Sequence, residues 1–590
     1  MRLPPEAVVY KVATTGSDKN DGVSKPVRSI GRALAIIRGL RNAGRLKQRR
    51  VEVAVDAGTY VISEPITLSE ADSGTPGFPL VIRASSPAPV SVVGGTMLTR
   101  WRTLADGVLE ATLTDQASCP QQLFANGERR FRPRLPIRGV FEIAEVPGKG
   151  RLRDHFRAHS GDIPRTFKPD GDTEVVVQDA WIVSRMRLAE YDATNSTLRL
   201  QNSIPGRSKY GLKSEVPFYL DNVPVDTLLP GNWRCDPQKR TLRYSPLKDE
   251  VGKAIVASAP VLPRLLILQG SESKPVHDIE IRDLQFAYTS WQLPASGWRG
   301  HAKETGATGV VEMSHCRSIQ LEQIGVRHSG GAGLVIGQGC SSVELADSSF
   351  EDLGGGGVAI GGALRRLPNG QTWQSLLAAK GTTHNIKITH NKFQGMGRVL
   401  AGSPGIWSGQ AHHVAIVGNS IQDLFWSGID VGWIHGGGPG MIESNTILDN
   451  RIDLYGQGVL SDMGGIHMVG SQPGTIVKGN YISRGRFYAY GAWGLYSDES
   501  NEGVSFIGNH ISDTQSAAIH VHKPGAKLVF QDNVADNVGE AGIRCTKGDP
   551  KVEVIFQSNS IRTTPGSPPK IYCDGANYKF FYFRYLEPKN

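Results

Sequence analysis

Two short stretches of this chain carry carboxylates where chemistry could follow. "LSDMGGIHM" holds Asp462 in a Gly-flanked turn, and "GLYSDES" holds Asp498 and Glu499. Two carboxyl groups on one site can cleave a glycosidic bond. One, kept protonated, gives its proton to the leaving oxygen, while the other stays ionised. Separations of about 5 Å suit retention of configuration and about 6.5–9.5 Å suit inversion. Partial burial and like-charge repulsion raise one pKa and leave the other low, which divides the two roles.

A second set of residue types clusters around the acids in sequence: Trp407, Asp430, Trp433, His467, Tyr496, His520, His522 and Arg544. A solvated face would be rich in Lys, Glu and Thr. His, Asp, Tyr, Trp and Arg together suit a carbohydrate-binding or catalytic surface, and rings such as Trp407, Trp426, Trp433 and Trp493 can stack on sugar faces. A metal set of His467, His520 and His522 with Asp430 is an alternative, although packing and sugar binding account for these histidines without a metal.

The elements that position these residues recur at an irregular period between about 263 and 562. One column reads Asn391, Asn419, Asn445, Asn480, Asn509, Asn533 and Asn559, with Ser348 in an earlier coil, mostly after alternating apolar runs such as "NIKITHN" and "KLVFQDN". Asn tolerates left-handed backbone and can bond from coil to coil. A second column reads "GLVIG", "GVAIG", "GIWSG", "GIDVG", "GIHMV", "GLYSD", "AIHVH" and "GIRCT". Two or three strands per repeat with no intervening helix predict an all-β fold, a right-handed parallel β-helix. Alternation turns Leu334, Val358, Ile406, Ile429, Ile466, Leu495, Ile519 and Ile543 to the core. It turns Val335, Ala359, Trp407, Asp430, His467, Tyr496, His520 and Arg544 outward. Asp498 also faces out, and Glu499 turns inward if its strand continues through it.

Residues 1–100 read as a cap and the first coils. A helix begins after Ser29, with Ile30, Ala33, Leu34 and Ile37 on its apolar face. Residues 101–262 read as an inserted β-rich subdomain, and 263–590 as the main β-helix carrying the site. The six cysteines form no CxxC pair and read as free, mostly buried thiols. No apolar run approaches the roughly 18 residues that a membrane span needs, and "MRLPPEAVVY" lacks a signal-peptide core. The net charge is +9, and residues 128–170 hold 11 Lys and Arg against 6 Asp and Glu. No nucleic-acid motif accompanies this basic stretch. It reads as internally paired or solvated, with an acidic glycan as the alternative partner.

The opening "YKVATTGSDKNDG", "DAGTYVISEPITLSEADSGTPGFPLVIRA" and "VVGG", the inserted "QQLFANGERRFRPRLP", and the acidic "DMGGIHMVG" and "GLYSDES" together resemble secreted parallel β-helix glycoside hydrolases. The sequence is most similar to glycoside hydrolase family 141, which includes α-L-fucosidase and xylanase activities, with the β-xylosidases of family 120 close behind. The resemblance implies an oligo- or polysaccharide substrate, a secreted or periplasmic location, no cofactor, and a monomer or small homo-oligomer. It places the acid pair on Asp462 and Asp498 for family 141, or on Asp462 and Glu499 for family 120. "HM" follows "GGI" where a Tyr is usual, and "DESN" replaces a D-(D/E)-G-S pattern. With no signal-peptide core visible, the expectation is either a cytoplasmic protein or one expressed without its export signal. A polysaccharide lyase or uronate epimerase, using Ca²⁺ or Arg486 and Arg544, and a non-catalytic glycan-binding adhesin are the alternative functions.

Overall fold

The computed structural model describes residues 7–586 apart from 47–48, 114–118, 149–151, 206–211, 301, 305, 363–380, 439, 564–569 and 576. Three ladders of parallel strands run along the chain, so each full coil has three faces. The coil Ser420–Leu424, Ile429–Val431 and Thr446–Leu448 is representative. Each strand pairs in register with its counterpart one coil away, for example Ile406 with Ile429 and Ile429 with Ile466. The molecule is an all-β parallel β-helix.

The interior follows from this register, because equivalent side chains stack about 4.8 Å apart. The apolar column Leu334, Val358, Ile406, Ile429, Ile466, Leu495, Ile519 and Ile543 is buried throughout. Phe506, Phe530, Phe556 and Phe580 form a stack of nearly parallel rings, with successive centroids 4.5, 5.0 and 4.9 Å apart. The helix Ile30–Asn42 covers the open N-terminal end. Ser29 accepts the Arg32 amide, and Ile30, Ala33, Leu34 and Ile37 point inward.

The turns are tied by a second stack. Asn391, Asn419, Asn450, Asn480, Asn509, Asn533 and Asn559 bond side chain to side chain from coil to coil at 2.9–3.0 Å. Each also donates to a main-chain carbonyl of the preceding coil, as Asn450 does to Ile416. The expected Asn445 is not in this stack. It precedes its strand instead of following it, and its side chain accepts the Val414 amide.

Between the β-helix strands Val90–Val93 and Leu266–Gln269, the chain makes antiparallel sheets. Gly95–Leu98 pairs with Ala257–Pro260, and Glu174–Asp179 pairs with Ile182–Asp192. This subdomain has its own core around Phe156, Phe218, Leu220 and Val175. It docks on the β-helix through Arg129, which pairs with Asp352 at 2.7 Å, and through the Ala180 carbonyl, which accepts the Ser461 amide at 2.8 Å.

The cysteines depart from expectation. Cys119 pairs with Cys235 and Cys545 with Cys573, while only Cys316 and Cys340 are free and buried. The second pair joins register partners on neighbouring coils. The first spans 116 residues of the insertion. Neither proximity is visible in sequence spacing. Part of the basic stretch is paired within the chain: Arg129 with Asp352, Arg130 with Glu250, Arg132 with Asp221 and Arg157 with Glu145. Among the described residues, no helix is long and apolar enough to cross a membrane.

Candidate active site

The outward column is in register from coil to coil. Trp407 pairs with Asp430, Asp430 with His467, His467 with Tyr496, Tyr496 with His520, and His520 with Arg544. These side chains leave the solenoid core as alternation requires. They do not meet open solvent, however: Trp407, Asp430, His467, Tyr496 and His520 are each at most 5% exposed. The segment 302–304 covers part of the column. Lys303, at positive φ, is buried there.

A chain of charges runs through this buried layer. The Lys303 ammonium lies 2.7 Å from Asp430 and donates to the Gly432 carbonyl at 2.9 Å. His467 donates through Nδ1 to Asp430 at 3.2 Å and points Nε2 at Asp498, 3.4 Å away. The His467 ring stacks on Tyr496 with centroids 4.5 Å apart and planes at 11°. The Tyr496 hydroxyl donates to Asp462 at 3.2 Å. The stacked rings of Tyr496 and His467 thus link the two acids, one bonded to each ring.

The environment separates these acids strongly. Asp462 is pushed up to about 7, first by burial and then by the charge of Asp498. Burial acts to raise Asp498 as well, but it is outweighed by the hydrogen bond and charge of His467 and by the charge of His435, which hold the carboxyl well below the usual range. Burial acts to lower His467, but the Asp430 carboxylate, helped by Asp498, raises it to about 9. Near neutral pH the site thus holds an ionised Asp498, an imidazolium at His467, and an Asp462 poised between its two forms.

Glu499 resolves differently from the alternation rule. Its strand, Ala492–Ile507, continues well past it, yet its side chain lies outside and not in the core. Val469 pairs with Asp498, but Ser471 pairs with Glu502. The extra residues on the Asp498 strand form a bulge, and a bulge breaks the two-residue period. Glu499 sits at the rim, paired with Lys523 and 3.7 Å from His435 Nδ1. The His435 hydrogen bond, ahead of the opposing effect of burial and the help of Lys523, lowers it to about 2.

The remaining candidates flank this centre. His520 stacks on Trp493 at 4.1 Å, and burial, then His522 and Arg544, drives it down to about 3, so it is neutral. His520 Nδ1 meets the Arg544 carbonyl at 3.2 Å and His522 Nδ1 meets Thr546 at 2.7 Å. His467 spends both ring nitrogens on carboxylates. The alternative metal set of His467, His520, His522 and Asp430 therefore does not converge on one point. Arg544 is paired with Glu540. Trp407 and Trp433 meet edge to face at 5.7 Å. Trp407 also lines a separate cavity of about 380 Å³ with Val335, Ala359, Ser403 and Glu304. Burial raises the Glu304 carboxyl to about 8. A larger cleft of about 1190 Å³ lies between the insertion and the β-helix and reaches Val459 and Tyr488, next to the turn that holds Asp462.

Sequence reasoning missed Lys303, His435 and Lys523. Lys303 stands in "RGHAKETG", far from the repeat columns, and no spacing links it to Asp430. His435 lies two residues after Trp433 in the loop following "GIDVG", which does offer a signal. Lys523 directly follows His522.

The fold and site thus define a parallel β-helix with an acid–histidine centre on one outer face. Residues 375–561 match the family model of the right-handed β-helix region. No protein of curated function matches the sequence. Among solved structures, the chain is similar to a glycoside hydrolase at 20% identity and a TM-score of 0.77, covering 89% of this chain and 96% of that one. It is also similar to XylC, solved with xylose, at 13% identity and a TM-score of 0.51, covering 97% and 86%. These likenesses establish the right-handed parallel β-helix and its extent over most of the chain.

Proposed function

We propose that the protein is a glycoside hydrolase in which Asp462 is the general acid and Asp498 the ionised partner. The carrying observation is the opposed protonation of two acids linked by stacked rings, Asp462 bonded to Tyr496 and Asp498 to His467. Asp462 gives its proton to the glycosidic oxygen as the bond to the anomeric carbon breaks. Asp498 attacks that carbon, and the resulting ester is then hydrolysed by water that the Asp462 carboxylate deprotonates. Attack by Asp498 on the anomeric carbon makes this a retaining mechanism. His467 keeps Asp498 ionised and oriented, with Asp430 and Lys303 fixing the imidazolium from behind. Glu499 remains the rim acid.

The substrate class that this reading favours is a fucosyl- or xylosyl-containing plant or microbial polysaccharide, on the sequence resemblance to families 141 and 120. The large cleft beside the Asp462 turn gives an oligosaccharide room to lie. Two disulfides support an oxidising, secreted or periplasmic setting. The lyase or epimerase reading has less support. Arg486 is spent on Asp513 and Arg544 on Glu540, which leaves neither free to neutralise a uronate.

Reducing-end release from a glycan library, followed by NMR of the first-formed anomer, tests the proposal. Asp462→Asn and Asp498→Asn should each lower turnover by about 10²-fold or more. Wild-type kcat/KM should fall as pH rises through about 7, the value of Asp462. Full activity in either variant, or an unsaturated product absorbing near 235 nm, overturns the assignment.

A further inference from the structure

A second cluster of chemistry-bearing residues lies on another face of the solenoid, and the proposed hydrolysis does not use it. His384 and His412 are register partners on neighbouring coils. Their rings stack with centroids 5.1 Å apart and planes at 8°. The next coil presents Glu443 beside them, because the His413 amide donates to the Glu443 carbonyl and Ala415 pairs with Thr446. His413 adopts φ of +54°. That left-handed residue breaks the alternation and brings two consecutive imidazoles together instead of to opposite faces.

The result is a compact donor set. Ligand atoms of His412, His413 and Glu443 all lie within 4.8 Å of one another. The two Nδ1 atoms of His412 and His413 are 2.8 Å apart. The other His412 nitrogen, Nε2, is buried and has no hydrogen-bond partner. Donors bound tetrahedrally to a metal at about 2.0–2.2 Å are separated by roughly 3.3–3.6 Å, so small side-chain rotations close this triad around an ion. Two imidazoles and one carboxylate, with an open side toward water, suit Zn²⁺ and similar divalent transition metals. His413 is exposed, which gives an ion an entry path.

We propose that His412, His413 and Glu443 form a divalent transition-metal site, with Zn²⁺ the best match to its donors. Its place in the fold gives it a structural consequence. Glu443 lies on the return leg of the connection that leaves the sheet after Val431 and carries Trp433 and His435 to the acid centre. An ion here ties that leg to the preceding coil and leaves the acids themselves untouched.

The test is Zn²⁺ binding by untagged, chelator-treated protein, read by equilibrium dialysis and by the shift in thermal midpoint. The wild type should retain one equivalent and melt higher with Zn²⁺. His413→Gln and Glu443→Gln should each weaken binding at least tenfold, and His412→Gln/His413→Gln should abolish both the binding and the shift. Circular dichroism checks that the variants fold, and the exposed His413→Gln serves as the least disruptive of them. A wild type that retains no Zn²⁺, or a double variant that binds as well as wild type, overturns the site. Neither readout depends on glycoside hydrolysis.

Discussion

Asp462→Asn should make the protein more stable at pH 8 and leave its stability at pH 4 nearly unchanged. In the folded chain burial, joined by the charge of Asp498, raises the Asp462 carboxyl from an ordinary 3.8 to about 7. The folded state therefore holds a proton that the unfolded chain releases between those values. Stability falls as pH rises through this window, and the full cost is present above it. A rise of this size corresponds to roughly 4 kcal/mol. Partial solvent access and relaxation reduce it, so about 2 kcal/mol is the working figure. Asn keeps the shape and still accepts from the Tyr496 hydroxyl, but it carries no charge. Denaturant titrations of both proteins at pH 4, 6 and 8 should show curves that diverge with pH, the variant lying above wild type. Parallel curves would refute the reasoning, because they would mean that Asp462 ionises as freely in the fold as outside it.

Two further perturbations probe the scaffold. Lys303→Met leaves the fully buried Asp430 without its ammonium partner and should destabilise by about 3–5 kcal/mol. Adding Asp430→Asn should recover part of that loss in denaturant melts, and a single variant within error of wild type would refute the pairing. Asn450→Ala removes bonds to Ile416, Asn480 and Asn419 and should cost about 3 kcal/mol, more than Asn445→Ala, whose side chain takes the Val414 amide. The reverse order in thermal midpoints would show that the coil-to-coil stack carries little stability.

What could be read from the sequence was whatever repeats. The Gly and Asn columns disclose a parallel solenoid because each coil must present the same residue type to the same environment. Alternation then sorts Leu495 inward and Tyr496 and Asp498 outward, and the register agrees. Asn445 was misplaced because a loop of a dozen residues precedes its strand, and the stack takes Asn450 instead. Glu499 escaped alternation through a bulge, which leaves no mark in the residue pattern. Pairing over long distances was illegible for the same reason. Cys119 and Cys235, or Lys303 and Asp430, meet only because the insertion and the segment 302–304 fold back onto coils formed elsewhere. The carboxyl candidates were visible as residue types, but the contrast between Asp462 and Asp498 depends on neighbours such as His435 and Tyr496, whose contacts only the fold supplies.

The Lys303–Asp430 contact also bears on how the molecule comes apart. A repeating coil array tends to fray from its ends, each turn contributing on its own account. Here one inner coil carries a buried negative charge that a segment from much earlier in the chain helps to balance. Peeling that segment away strands the charge, so the coils bearing Asp430, His467 and Asp498 should open together as one unit. In hydrogen exchange, their amides should share a single opening energy where the terminal coils show a gradient.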